Sequence, residues 1–305
     1  MIFSVLTKGT CMKSGRSALL LSVCLLTGCR VQPAPALPLP EPVLTVQSAA
    51  ELTDAAADML MRTETALTVS VPETLYGAAG DCVRAARTRS VLCGTMLETL
   101  GWQRSGRLLT VTAVYTEPPE TVREKKRQVS LAAAEWAESV LRYPPAVRVL
   151  LAHERLCNVC AYSETAPDCG SAYGALCGAA ARCSGYAEGF ALLLEAAGVP
   201  VRTVTGTAYE NGKPSAHAWN LVRPDGFWYH VDCTWDDTAE PGDTHAYFLC
   251  GDSLLRQTHD WDAAAYPAAE GGRLRYETVM QQMRDAVIPP SDDRTGRRAF
   301  ASASR

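Results

Sequence analysis

The stretch from residue 182 to residue 250 constrains this chain more than any other part, because its pattern fits a helix followed by an antiparallel sheet. Arg182 to Ala197 carries Ala187, Phe190, Ala191 and Leu194 at helical i, i+3, i+4, i+7 spacing, so one face is apolar. Gly198 and then Pro200 give the punctuation expected after a helix C-terminus. Val201 to Thr207 reads as a strand, and His217 to Val222 and Phe227 to Thr234 read as two more. Arg223-Pro224-Asp225-Gly226 joins the last two as a turn, with Tyr247 to Cys250 as a fourth strand.

This order places chemistry. Cys183 falls at the start of the helix, where the positive end of the peptide dipoles favours a thiolate. Its small neighbours Ser184 and Gly185 leave the sulfur accessible, and the free N–H groups of the first turn can donate to an oxyanion. If Arg223 pairs with Gly226, His217 lies directly opposite Asp232 on one sheet face, where a carboxylate can orient an imidazole. A type I turn with a G1 bulge also suits Pro-Asp-Gly and would shift the register by one, placing the two groups on opposite faces. Of the other histidines, His230 reads as structural, His153 as a helix packing residue, and His245 and His259 as loop or helix-start positions. Asp236 and Asp237 lack the spaced oxygen ligands of a calcium loop.

The segments YGALCGAAARCSGYAEGFALLLEAAGVPVRTVTG, AHAWNLVRPDGFWYHVDCTWDD and YFLCGD, with HDW and YP downstream, resemble bacterial transglutaminase-like domain proteins from Leu151 to Pro267. The resemblance implies an α+β, papain-like core in which a nucleophile helix packs on an antiparallel sheet. It assigns the nucleophile to Cys183, the base to His217 and the orienting carboxylate to Asp232. Trp219 and Trp235 fall at the family's aromatic positions beside these groups, and Ser184, Gly185 and Tyr186 complete the expected site wall. The implied chemistry is thiolate attack on a peptide or protein amide, with the thioester resolved by water or by an amine, and with no cofactor and no metal. The competing expectation is a catalytically silent lipoprotein that binds peptide or envelope polymer. An acyl carrier of the arylamine acetyltransferase kind shares the triad, but a cell-surface address does not suit its cytosolic donors.

The address follows from the N-terminus. Lys13 and Arg16 precede the apolar run Ala18 to Leu26, which ends at Leu-Thr-Gly-Cys29, so residues 1–29 read as a lipoprotein signal with Cys29 lipidated. Met12-Lys13 makes a more conventional signal start than Met1, and the start stays open between the two. Proline-rich residues 30–46 form a tether, 47–143 a small α/β domain, 144–288 the catalytic domain, and 289–305 a disordered tail. The product is an exported protein, lipid-anchored at the bacterial envelope and touching the membrane through Cys29.

Within the α/β domain, Ser48 to Thr63 and Glu120 to Arg142 read as helices and Leu108 to Tyr115 as a strand. A further helix runs from Ala146 to Cys160. In an exported chain, Cys82, Cys93, Cys157, Cys160, Cys169, Cys177, Cys233 and Cys250 form an even set suited to disulfides. A zinc site at Cys157, Cys160, Cys169 and Cys177 fits the usual spacing poorly. A net charge of -4 and a pI near 5.8, with no dense basic stripe, exclude a dedicated nucleic-acid surface.

Overall fold

The computed structural model describes residues 44–89, 96–238 and 245–287. The lipoprotein signal with Cys29, nearly all of the proline-rich tether, the tail and Cys93 lie outside the described residues. No helix among the described residues is long and apolar enough to cross a membrane.

The first half is built on a four-stranded sheet of order β1-β2-β4-β3, formed by β1 (Leu44–Thr45), β2 (Ala66–Ser70), β3 (Leu97–Ser105) and β4 (Leu108–Tyr115). Strand β4 alternates strictly: Leu109, Val111, Ala113 and Tyr115 are buried against α1 (Ala49–Met61) and α2 (Ala79–Arg89), while Leu108 and Val114 face outward. Ser48 caps α1 by accepting from the Glu51 amide, and Glu51 reaches back to the Gln47 N–H. The other end of α1 is closed by Lys126, whose buried ammonium donates to the carbonyls of Leu60 and Met61 and to Thr63 Oγ1, a cation at the negative end of the helix.

Lys126 belongs to α3 (Pro119–Val140), which serves both halves of the molecule. Val122 packs into the first core, whereas Ala133, Trp136, Ala137 and Val140 belong to the second. In the second core, α3 and α4 (Pro145–Val159) pack around α6 (Cys183–Ala196), whose other side lies on the sheet. Phe190, Leu193 and Leu194 of α6 are wholly buried, each contributing roughly 2 kcal/mol of hydrophobic stabilisation. Short β5 (Ala161–Tyr162), α5 (Ala172–Leu176) and β6 (Ala180–Ala181) lead into α6.

The sheet has order β10-β9-β8-β7-β11, with every neighbouring pair antiparallel. Its strands are β7 (Val201–Glu210), β8 (Lys213–Val222), β9 (Tyr229–Val231), β10 (Phe248–Cys250) and β11 (His259–Asp260). Short α7 (Cys233–Asp237) follows β9, α8 (Asp252–Leu255) follows β10, and α9 (Tyr276–Val287) closes the described chain. This is the α+β architecture expected, a nucleophile helix on an antiparallel sheet. Strands β7 and β8 extend to a two-residue turn at Asn211-Gly212, both with positive φ (51° and 74°), the conformation of a type I′ hairpin.

Two sequence expectations change. The β8–β9 pair runs Asn220↔Val231, Leu221↔His230 and Val222↔Tyr229, so the connection is longer than Pro-Asp-Gly alone and His217 is not directly opposite Asp232. Continued by one residue, this register sets Asp232 against Trp219. Because the shift is by two, side-chain parity is kept and Asp232 stays on the face of His217 as its diagonal neighbour. The cysteines also differ from expectation: Cys82, Cys157, Cys160, Cys169, Cys177, Cys233 and Cys250 are all free thiols. Buried Cys160 and Cys250 and half-buried Cys157 serve as small apolar residues whose thiols donate to nearby carbonyls, Cys157 to Cys233, Cys160 to Ala161 and Cys250 to Ala246.

Candidate active site

Helix α6 delivers Cys183 because its first turn is held against the segment before it. Gly185 is buried there, and a Cβ on it would lie 2.5 Å from the Cys169 carbonyl and 2.9 Å from that of Ser171, so only glycine permits this docking. Arg182 enters in extended conformation (φ -96°, ψ 178°), leaving Cys183 as the first helical residue. The sulfur is partly buried and faces His217, and the N–H groups of Ser184 and Ala218 also point to it. Burial opposes ionisation, but the hydrogen bond and charge of His217, aided by those two amides, bring the thiol below its ordinary value.

Strand β8 supplies His217, whose Nε2 lies 2.6 Å from Asp232 Oδ2. With that nitrogen engaged, Nδ1 is left for the sulfur. Burial works against charging this ring; the negative charge and hydrogen bond of Asp232 overcome it, Cys183 adds to them, and the pKa rises to about 10. The pair is therefore poised as thiolate and imidazolium.

Asp232 closes β9 and caps α7. Its Oδ1 accepts from the N–H groups of Thr234 and Trp235 at 3.0 and 3.2 Å. Its Oδ2 accepts from two imidazoles, His217 and also His259, whose Nε2 is 3.1 Å away. Burial alone would raise this carboxyl, but His217 and then His259 hold it well below the usual carboxylate range.

His259 is the residue that sequence reasoning missed. It is not in a loop or helix start but on the edge strand β11, buried, where it pairs with Ala208 of β7. Gly206 allows that edge to close: a Cβ there would stand 2.2 Å from the Asp260 carbonyl and 2.9 Å from the Trp219 ring. The only local signal was the short His-Asp-Trp run after a loop. His217, Asp232 and His259 also place ligand atoms within 4.8 Å of one another, the spacing of a metal site. Here Oδ2 is already shared by both rings and His217 meets the sulfur, which suits a relay better than a metal centre.

The remaining predicted wall residues divide. Trp235 and Ser184 line an open cleft of about 1170 Å³ that contains Cys183 and His217, with Glu164, Arg182 and Glu210 also on its surface. Trp219 is buried behind the cleft, stacked on His217 at 5.9 Å with its Nε1–H donating to His230. Gly185 and Tyr186 are likewise behind it: the Tyr186 hydroxyl lies 3.0 Å from the Cys160 carbonyl and 2.5 Å from Asp237 Oδ2. His230 is structural as expected, held between Trp219 and Asp252.

Residues 136–233 match the transglutaminase-like superfamily. Among solved structures, the chain is similar to a TGase at 14% identity and TM-score 0.30, over 68% of this chain and 61% of that one. It is also similar to a candidate cysteine protease from Cytophaga hutchinsonii at 16% identity and TM-score 0.32, over 56% of this chain and 70% of that one. No curated protein matches.

Proposed function

From the premise that this is a transglutaminase-like domain protein with a cysteine-centred site, we propose that it is an acyl-enzyme catalyst that cleaves peptide or protein amide bonds. The observation that carries the reading is His217 set between Asp232, 2.6 Å from its ring, and Cys183, whose thiol it helps to lower. The thiolate attacks the amide carbonyl, and the N–H groups at the start of α6 stand where the oxyanion develops. His217 then gives its proton to the leaving amine, and a thioester remains on Cys183. Water, deprotonated by the now neutral His217, attacks the thioester, and the thiol leaves as thiolate with the imidazolium restored. Attack by a primary amine would instead complete a transamidation.

Hydrolysis is the outcome we favour, because the cleft is open and water reaches the thioester without a dedicated binding site. The protein acts at the bacterial envelope, held by lipid on Cys29, with peptides or proteins as its partners; the support is the charged-then-apolar leader and the proline-rich spacer. A peptide library incubated with the protein, with and without a labelled primary amine, is the test. Cleaved peptides that need Cys183 support hydrolysis, and amine incorporation that needs Cys183 redirects the reading to acyl transfer. Absence of both, with Cys183 unlabelled by a thiol alkylator in the folded protein, overturns it.

A further inference from the structure

Behind the cleft wall lies a second cluster that the acyl chemistry does not use. His153 and Glu154 are consecutive on α4, and His245 precedes β10. His245 Nε2 is 2.6 Å from Glu154 Oε1, and His153 Nδ1 is 3.7 Å from the same oxygen. The ligand atoms of all three lie within 4.8 Å of one another. We propose that His153, Glu154 and His245 bind one divalent transition-metal ion of the zinc type.

Three features beyond proximity point to an ion. The other nitrogen of His153, Nε2, is held 3.0 Å from Asp236 Oδ2, and both side chains are essentially fully buried. A ligand imidazole anchored on a buried carboxylate through its far nitrogen is the usual outer-shell arrangement of metal sites, since it fixes the tautomer and aims the near nitrogen, here Nδ1, which meets Glu154 and, at 4.0 Å, the Cys157 sulfur. His245 is aimed as well, its ring stacked on Tyr276 at 3.9 Å. The burial is graded: His153 is 1% exposed, His245 21% and Glu154 41%, so the cluster is rooted in the core and opens toward solvent. An ion can enter from that side, and a water can take the fourth position.

The donor set selects the class of ion. Two imidazoles and one carboxylate suit zinc, cobalt, iron or nickel, whereas calcium and magnesium call for oxygen ligands. Zinc at ordinary bond lengths needs ligand atoms roughly 3.3 Å apart. The pair at 3.7 Å nearly meets that separation already, and the hydrogen-bonded pair at 2.6 Å needs only to part slightly. Sequence reading found no metal here because the ligands come from positions 153, 154 and 245 and share no motif.

The ion would tie α4 to the segment that builds the cleft. Ala246 and Tyr247, just after His245, line it. Asp236 follows the cleft residue Trp235 and accepts from the Tyr247 N–H. The role is that of a clamp on the wall, separate from the thiol chemistry.

The test uses the full chain carrying Cys183→Ser, stripped with chelator under reducing conditions and titrated with Co²⁺ and then Zn²⁺. Expected is one ion per chain, visible bands of a nitrogen- and oxygen-ligated cobalt displaced by zinc, and a rise in Tm with Zn²⁺. Glu154→Gln and His245→Asn, both at partly exposed positions, lose affinity at least tenfold and lose the Tm rise. Asp236→Asn weakens binding about 10- to 100-fold, as outer-shell changes do. The proposal is overturned by no binding at micromolar cobalt, by binding unchanged in both ligand variants, or by an intense sulfur-to-cobalt band. Loss of binding in His259→Asn but not in His245→Asn also overturns it, because the ion then belongs to the cluster around Asp232.

Discussion

His259 Nε2 lies 3.1 Å from Asp232 Oδ2, the same oxygen that holds His217. One carboxylate oxygen is thus held by two rings whose centroids are 5.4 Å apart, and removal of one frees it to shift toward the other. Replacing His259 with Leu should lower kcat about tenfold with little change in KM, the signature of a positioning residue rather than a binding one. The conservative His259→Gln, which keeps an N–H donor, should recover most of the loss; equal damage from both replacements would reduce His259 to a packing role.

Asp232→Asn keeps size but loses the charge that sustains the His217 imidazolium. Activity should fall by about 10³- to 10⁴-fold, within the range seen when an orienting aspartate is replaced. Asp232→Ala should also lower stability by about 1–2 kcal/mol through loss of the cap on α7, which thermal unfolding would register. A variant that retains wild-type turnover would remove Asp232 from the mechanism.

The thiolate–imidazolium pair sets the pH response. Alkylation of Cys183 by iodoacetamide should set in below the ordinary thiol value of 9.0, because His217 favours the ionised sulfur against the cost of burial. Amide turnover should decline again as pH passes about 10, where His217 gives up its proton. In His217→Gln the acid limb of alkylation should move upward by a unit or more; an unmoved limb would show that the two groups do not communicate.

Stability carries the same sign information. His217 has a raised pKa, so its contribution is fully present below the unfolded value near 6.5 and is lost as pH climbs toward about 10. In a Cys183→Ser background, which removes the opposing titration of the thiol, the unfolding free energy should fall across that window by something of order 1 kcal/mol per pH unit. Adding His217→Gln should flatten the fall. A slope identical in both proteins would mean that the ring is not charged in the folded state.

Gly206→Ala probes how the edge strand is seated. The added methyl would meet the Asp260 carbonyl and the Trp219 ring, so β11 must retreat and carry His259 with it. Expected are a loss of about 1–3 kcal/mol in denaturant unfolding and a kcat defect resembling that of His259→Leu. Ala at Gly212, whose Cβ would meet nothing but whose φ is 74°, is the control: it should affect the β7–β8 turn without touching kcat.

Much of the site was legible because its carriers are long and periodic. The apolar face of α6 and the Gly198 and Pro200 punctuation placed Cys183 at a helix start, and the Pro-Asp-Gly turn between two strand-like runs placed His217 on a strand. The register of that strand was off by two because Phe227 and Trp228, which look like strand residues, lie outside β9, and a propensity for strand cannot say where pairing stops. His259 escaped because a two-residue strand has no period, and its place is decided by a neighbour some fifty positions earlier. The cysteines misled for a different reason: an even count says what could pair, while the packing of Cys82, Cys160 and Cys233 among apolar side chains decides what does. Residues 153, 154 and 245 show the same limit, since only the tertiary fold makes neighbours of them.

The double duty of Asp232 has an evolutionary corollary. One oxygen secures the start of a helix and the other secures two rings, so a descendant that no longer needs turnover still loses stability when this aspartate is replaced. Cys183, by contrast, can become serine or alanine with little harm to its neighbours. Silent members of such a lineage should therefore be recognisable by a missing sulfur beside an intact carboxylate.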